Sequence, residues 1–300
     1  MGESTRKQAE VLTNQQAMQK GNAKFVTTCQ KKLMHWFLQF VCRHRKNFLF
    51  RLADKVAVKF HRGFENENFD WDTNGERRVL EAMGVVNPRV IFDVGANVGD
   101  WSMLANSLYP AAQIHSFEAV SETYRECVRQ TGAIPNIILE NTGLSDHCGV
   151  VTFNYCKDQS GLSTGVDLDF NYGSVAMKSE KIEAKVVTGD SIVESRGIDK
   201  IDFLKIDVEG MEGKVLQGFR QSLQQKQIAV IQFEYGLVNV KAQFLLADFH
   251  LMFRSLGYIV GKIYPTYVDF SEYAYIREDF IGSNYLAVDQ ARGDLIDLLK

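Results

Sequence analysis

From Trp71 onward the chain alternates short apolar runs with amphipathic stretches, and this alternation constrains the fold more than any other feature. Strand-like runs occur at Val90–Val94, Gln113–Glu118, Asn136–Asn141, Ile201–Asp207 and Ile228–Glu234. Helical periodicity occupies Glu76–Gly84, Gly99–Leu108, Glu122–Thr131, Glu212–Leu223 and Phe244–Leu256. Strand and helix in turn require right-handed crossovers, which place helices on both faces of a mainly parallel sheet. The predicted class is therefore α/β. Two segments break the rhythm. Val150–Tyr155 and Lys181–Val187 alternate with period two and predict an inserted or edge antiparallel pair. Two last strands, Tyr258–Tyr264 and Asn284–Val288, predict an antiparallel hairpin at one edge.

The 300 residues divide into three stretches. Residues 1–22 are polar and are expected to be poorly ordered. Residues 23–70 form a basic amphipathic helical extension, and 71–300 the α/β domain. Between Lys24 and Arg62 there are ten Lys/Arg against one acid, Asp54, although the whole chain carries a net charge of −3. Leu33, Trp36, Phe37 and Phe40, then Phe48, Leu52 and Val56, recur at helical intervals there. Such an arm suits either packing against the main domain or peripheral contact with an anionic membrane or acidic partner. The overall acidity argues against nucleic acid as the main partner. Five cysteines without CxxC or zinc-like spacing read as free thiols in a reducing compartment. With neither a signal-peptide pattern nor a membrane-length apolar run, the expected location is cytoplasmic, with membrane association open to the arm.

The turn after the first strand, Asp93-Val94-Gly95-Ala96-Asn97-Val98-Gly99, is built for a nucleotide, but not for a pyrophosphate. Its glycines are four apart, and Asn97 occupies the place where a dinucleotide loop needs a closer glycine. An acid at the strand end, Asp93, favours a ligand with an ammonium or sulfonium group. Glu118 ends the second strand, where a carboxylate can accept hydrogen bonds from both ribose hydroxyls. Together these acids point to S-adenosylmethionine, its amino-acid end at Gly95–Gly99 and its ribose at Glu118. Asp146, beyond the third strand, would reach the adenine amine.

A second dense stretch, "IDFLKIDVEGMEGKVLQGF", covers Ile201–Phe219. Lys205 and Asp207 share one face of the fourth strand, with Glu209 continuing it if the strand persists. Charged residues beside a central apolar run are costly unless they pair or serve a site. Asp207 is the first candidate for a general base, with Lys205 steering or anchoring it. Glu209 and Glu234 would lie on the same rim, where a divalent cation is conceivable, but no ligand spacing predicts a metal. The polar loop Gln159–Gly165 is placed to touch substrate. His115, inside a strand, reads as a core residue.

At this point the chain resembles the FkbM-type S-adenosylmethionine-dependent methyltransferases. The matching pieces occur in family order: "FDVGANVGDWS", "FEAVSETY", "NTGLSDHCGVVTF", "GLSTG", "KIDVEGMEGKVLQG", "IQFEYG" and "NYLAV". Ala119 stands where the family commonly has proline. The resemblance implies a Rossmann-like sheet of seven strands, six parallel and a reversed seventh. It also implies methyl transfer to a hydroxyl of a sugar or secondary metabolite.

Overall fold

The computed structural model describes residues 31–157, 161, 163–166 and 179–300. The expectation for residues 1–22, Lys24 of the basic window and part of the loop Gln159–Gly165 lie outside them. Two units divide between His61 and Arg62. In the first, residues 31–43 are helical (α1) and α2, Phe48–Phe64, begins. No residue between 31 and 61 is buried.

The second unit starts with residues that bind to it directly. Lys262 Nζ lies 2.9 Å from Glu65, and the buried Asn66 amide donates to the carbonyls of Asn74 and Ile263. In chain order follow α3 (Glu76–Ala82), β1 (Val90–Val94), α4 (Asp100–Leu108), β2 (Gln113–Phe117), α5 (Ser121–Thr131), β3 (Ile137–Glu140), β4 (Gly143–Leu144), β5 (Gly149–Tyr155) and β6 (Glu180–Val187). Next come α6 (Gly189–Arg196), β7 (Phe203–Ile206), α7 (Glu212–Gly218), α8 (Arg220–Gln224), β8 (Val230–Gly236), α9 (Val238–Ala242) and α10 (Leu246–Ser255). The chain closes with β9 (Tyr258–Ile263), β10 (Val268–Asp269), β11 (Ile281–Asp289) and α11 (Gly293–Leu299).

The main sheet has the order β10-β9-β11-β8-β7-β1-β2-β3. Strands β1, β2, β3, β7 and β8 pair in parallel, as the alternation predicts, while β11 runs antiparallel between β8 and β9. The last two long strands are therefore neighbours, but β11 is internal to the sheet rather than at its edge. The sheet has eight strands instead of seven because β10 adds to β9, pairing Val268 with Ile263 and Asp269 with Lys262. Two residues show no periodicity to read. The period-two segments form a separate sheet, β4-β6-β5, in which β5 and β6 are antiparallel and β4 joins β6 in parallel. The expected helix Glu212–Leu223 is two helices, broken at Phe219.

Strand residues alternate between two cores, one on each face. Phe92, Leu204, Ile231 and Phe233 meet α6, α7, α8 and α10 through Ile192, Leu216, Leu223, Phe249 and Phe253. Ile91, Ile114, Phe203 and Val230 meet α3, α4 and α11 through Leu80, Trp101, Leu104 and Leu295. Phe233 stacks on Phe249 with ring centroids 4.4 Å apart, so truncating it would cost about 3–5 kcal/mol. Covered on both faces, the sheet leaves its strand ends for function. The chain leaves β1 towards β2 and β3 on one side and later fills β7 and β8 on the other, which opens a crevice above β1 and β7.

Candidate active site

The turn after β1 reverses through Gly95, Asn97 and Gly99, which all take positive φ of 83°, 47° and 95°. Asparagine tolerates this left-handed region better than most side chains. Gly95 is fixed by a close approach as well, since a Cβ there would lie 1.8 Å from the Asp207 carbonyl oxygen. The backbones leaving β1 and β7 thus touch only because residue 95 is glycine. The amides of Gly95 and Ala96 both donate to the Phe117 carbonyl at 3.0 Å. Gly99 caps α4 and packs against Thr131 and Cys127 of α5.

Above this turn lies a cavity of about 520 Å³. Gly95 and Asn97 after β1, Glu118 after β2, Gly143 and Leu144 of β4, Asp207 and Glu209 after β7, and Glu234 of β8 line it. Phe69, Glu76 and Asn284 complete the wall, and Gly161 and Ser163 bring the polar loop to it. Among the described lining residues there is no lysine or arginine.

Glu118 is nearly buried, and its two oxygens accept from the amides of Asn97 at 3.0 Å and Val120 at 2.8 Å. Burial pushes its pKa up to about 7 in spite of those bonds. The opposite wall is more crowded. Glu209 adopts φ 52°, with its carbonyl held by the Thr164 hydroxyl at 2.5 Å. Burial, then repulsion from Asp207 and Glu212, holds the Glu209 carboxyl well above the usual range. Glu234 is raised likewise, by burial and then by Glu209 and Asp207. One oxygen each from Asp207, Glu209 and Glu234 lies within 4.8 Å of the others, a spacing that suits one bound cation. Behind them Glu212 accepts from the amides of Val208 and Gly210, both at 3.1 Å, and burial pushes its pKa up to about 7.

Beneath the cavity, neighbouring positions of β1 and β7 set Asp93 beside Lys205. Lys205 Nζ lies 3.1 Å from Asp207 and 3.6 Å from Asp93. Burial alone would lower the Lys205 pKa, but Asp207, Asp93 and Glu76 more than reverse this, so the lysine is charged. Asp93 is fully buried and accepts from the Ser102 hydroxyl at 2.6 Å. Neither Asp93 nor Lys205 lines the cavity; Lys205 bridges the two acids and holds Asp207 from behind the wall. Asp146 is outside the wall as well: it accepts from Ser145 Oγ at 3.0 Å and pairs with His147 at 2.7 Å. His115 is buried, with Nδ1 2.5 Å from Arg196.

Glu76 had no sequence signal beyond its place at a helix start. In the fold it is buried and accepts from Asn74 at 2.7 Å, Gln232 at 2.6 Å and Asn284 at 3.0 Å. Gln232 and Asn284, polar residues inside otherwise apolar strands, were the legible clue to this network.

The wall fits a cationic nucleoside. Its carboxylates outnumber any positive charge at its surface, the buried Glu118 faces the cavity, and the glycine turn leaves no side chain between β1 and β7. A family model for the methyltransferase FkbM domain matches residues 93–260. Hexuronic acid methyltransferase AglP of Haloferax volcanii is 25% identical over 200 residues, 64% of this chain and 78% of its own. The 31-O-demethyl-FK506 methyltransferase FkbM of Streptomyces tacrolimicus is 27% identical over 154 residues, 43% of this chain and 58% of its own. A crystal structure of methyltransferase FkbM from Methylobacillus flagellatus KT aligns with a TM-score of 0.43 and 14% identity, over 67% of this chain and 44% of that one. With more than half of its length matched by the family model, the chain belongs to the FkbM methyltransferase family.

Proposed function

We propose that the protein transfers a methyl group from S-adenosylmethionine to a hydroxyl of a sugar or secondary-metabolite acceptor. The observation that carries this reading is the acid-walled cavity at the β1/β7 crevice, with Glu118 on one side and Asp207 on the other. In this reading the turn Gly95–Gly99 holds the amino-acid end of the donor, Glu118 the ribose hydroxyls, and the β4 side, towards Asp146, the adenine. Bound S-adenosylmethionine supplies an electrophilic methyl group on a cationic sulfur.

The chain's own residues then have two tasks. The wall positions the acceptor oxygen in line with the methyl carbon, which accounts for much of the rate in such displacements. Asp207 takes the hydroxyl proton as the oxygen–carbon bond forms and the carbon–sulfur bond breaks. Lys205 holds Asp207 in place, and Glu209 acts on the acceptor side of the same rim. Burial and mutual repulsion hold the Glu209 and Glu234 carboxyls well above the usual range, which eases the crowding without a metal, so a chelator should leave the rate unchanged. An acidic wall repels an acceptor that brings a carboxylate or phosphate to the transfer point, which favours an uncharged glycan or small molecule over nucleic acid.

Calorimetric titration with S-adenosylhomocysteine tests the donor half. Micromolar binding that is weakened in Glu118→Gln is expected. A well-folded protein that binds no S-adenosylhomocysteine would overturn the reading. A panel of hydroxylated glycans and polyketides with radiolabelled donor then tests the acceptor half.

A further inference from the structure

The surface of residues 31–61 is unusual in two respects at once. Leu33, Trp36, Phe37 and Phe40 of α1 are 66%, 59%, 50% and 39% exposed. On α2, Leu49, Leu52, Val56 and Phe60 recur along one face at 68%, 49%, 61% and 75% exposure. The Phe40 and Phe50 rings meet edge-on at 5.8 Å, so the two helices touch near their turn, yet two helices are too few to bury these side chains. The remaining surface is basic. Lys31, Lys32, Arg43, Arg45, Lys46, Arg51, Lys55 and Lys59 are opposed by Asp54 alone within residues 31–61. No helix of the described residues is long and apolar enough to cross a membrane.

We infer that this arm lies in the interface of an anionic lipid bilayer, with the aromatic and aliphatic face among the acyl chains and the lysines and arginines at the headgroups. Such a surface satisfies both features together. An acidic protein groove matches the basic face and leaves the apolar one in water, and an apolar groove does the reverse. A second copy of the arm would cover the apolar face but supply no counter-charge, bringing two strongly positive arms together. A helix with aromatic anchors and flanking Lys/Arg lies in the plane of the interface, its binding set by buried apolar area together with attraction to anionic lipid.

The test is co-sedimentation of the full chain with phosphatidylcholine vesicles, with and without phosphatidylserine. Binding to the anionic vesicles is expected to exceed binding to neutral ones by about tenfold or more. It should weaken on raising salt from about 0.1 M to about 0.5 M, as screening shortens the reach of the charges. Two variants separate the contributions: Leu49→Ser/Leu52→Ser/Val56→Ser removes the apolar face, and Arg51→Glu/Lys55→Glu/Lys59→Glu reverses the charge. Both should lose vesicle binding while keeping the wild-type thermal transition, which shows that the domain is folded. Absence of binding to anionic vesicles overturns the inference. So does binding indifferent to lipid charge, capture by polyglutamate in place of vesicles, or a dimer in sedimentation velocity that the serine variant abolishes without any vesicle binding.

Discussion

The two walls of the cavity handle negative charge in opposite ways. Glu118 stands on its side with both oxygens engaged by backbone amides, an acceptor already oriented before any ligand arrives. Across the cavity Asp207, Glu209 and Glu234 crowd together with Glu212 behind them, their repulsion countered by Lys205 from below. A satisfied, preorganised carboxylate suits binding, because little needs to rearrange when a ligand's hydroxyls meet it. A crowded group in which Glu209 and Glu234 are held well above the usual carboxyl range suits chemistry, because small changes there move a proton. In the proposed reading the contrast puts the donor on the β2 side and the proton transfer on the β7 side, and it can be broken by mutations that mix the two roles.

The largest effect is expected from Asp207→Asn. A neutral amide cannot take the acceptor proton, and loss of a general base lowers turnover by about 10²–10⁴-fold. Calorimetric affinity for S-adenosylhomocysteine should hardly move. Equal losses in binding and turnover would mean that the β7 wall also holds the donor, and the division of labour would fail.

Lys205→Met should come next, and it reads the layer beneath the cavity. Removing the lysine leaves Asp93 buried without its counter-charge, a change worth about 3–5 kcal/mol of stability when a buried pair is broken from one side. The urea midpoint at pH 8 should fall accordingly. A neutral result would show that Asp93 is held mainly by Ser102, whose hydroxyl lies 2.6 Å away.

That lower layer also shows what a sequence can carry. The order of strands and helices was legible because period 2 and period 3.6 are local properties, and β1, β2, β3, β7 and β8 were read within a few residues of their ends. Gly95, Asn97, Glu118, Asp207 and Glu209, named from strand-end positions, line the cavity. Asp93, Lys205, Gly99 and Asp146, named by the same logic, do not. Position along a strand indicates nearness to the crevice, but which residue presents its side chain to it depends on the register between strands. The pairing of Asp93 with Lys205 joins residues more than a hundred positions apart. Glu76 was hidden for the same reason: its three amide partners come from the preceding loop, β8 and β11. The position of β11 inside the sheet, against β8, depends on nonlocal pairing too, whereas β10 pairs locally with β9 and is too short for a period to show.

Glu118→Gln probes the preorganised wall. Hydrogen bonds to a charged group contribute about 1.5–3 kcal/mol, so donor affinity should drop roughly 10- to 150-fold while turnover at saturating donor changes less. The pH dependence sharpens the point. With a pKa near 7, the carboxylate accepts fully from ribose only above that pH, so wild-type affinity should decline by up to about tenfold per unit below it. The glutamine variant should bind weakly and without this slope. A wild-type affinity flat from pH 5.5 to about 8 would place the donor's hydroxyls on some other acceptor.

The smallest effect is in stability, and it carries the comparison to the whole cavity. Burial raises Glu118 and Glu212 to about 7, so the folded state holds their protons more tightly than the unfolded chain does. Stability from a raised carboxyl is complete below its ordinary range and is lost as pH climbs through the folded value. The ligand-free protein should therefore be more stable at pH 6 than at pH 8, by about 1 kcal/mol for each group. S-Adenosylmethionine brings a positive sulfur into this acidic wall and S-adenosylhomocysteine does not. Saturation with the first should flatten the slope more than saturation with the second, because a nearby cation favours the ionised carboxylates. Identical slopes with both ligands would mean that the sulfur sits away from the crowded wall, and the proton acceptor would then have to be sought on the Glu118 side.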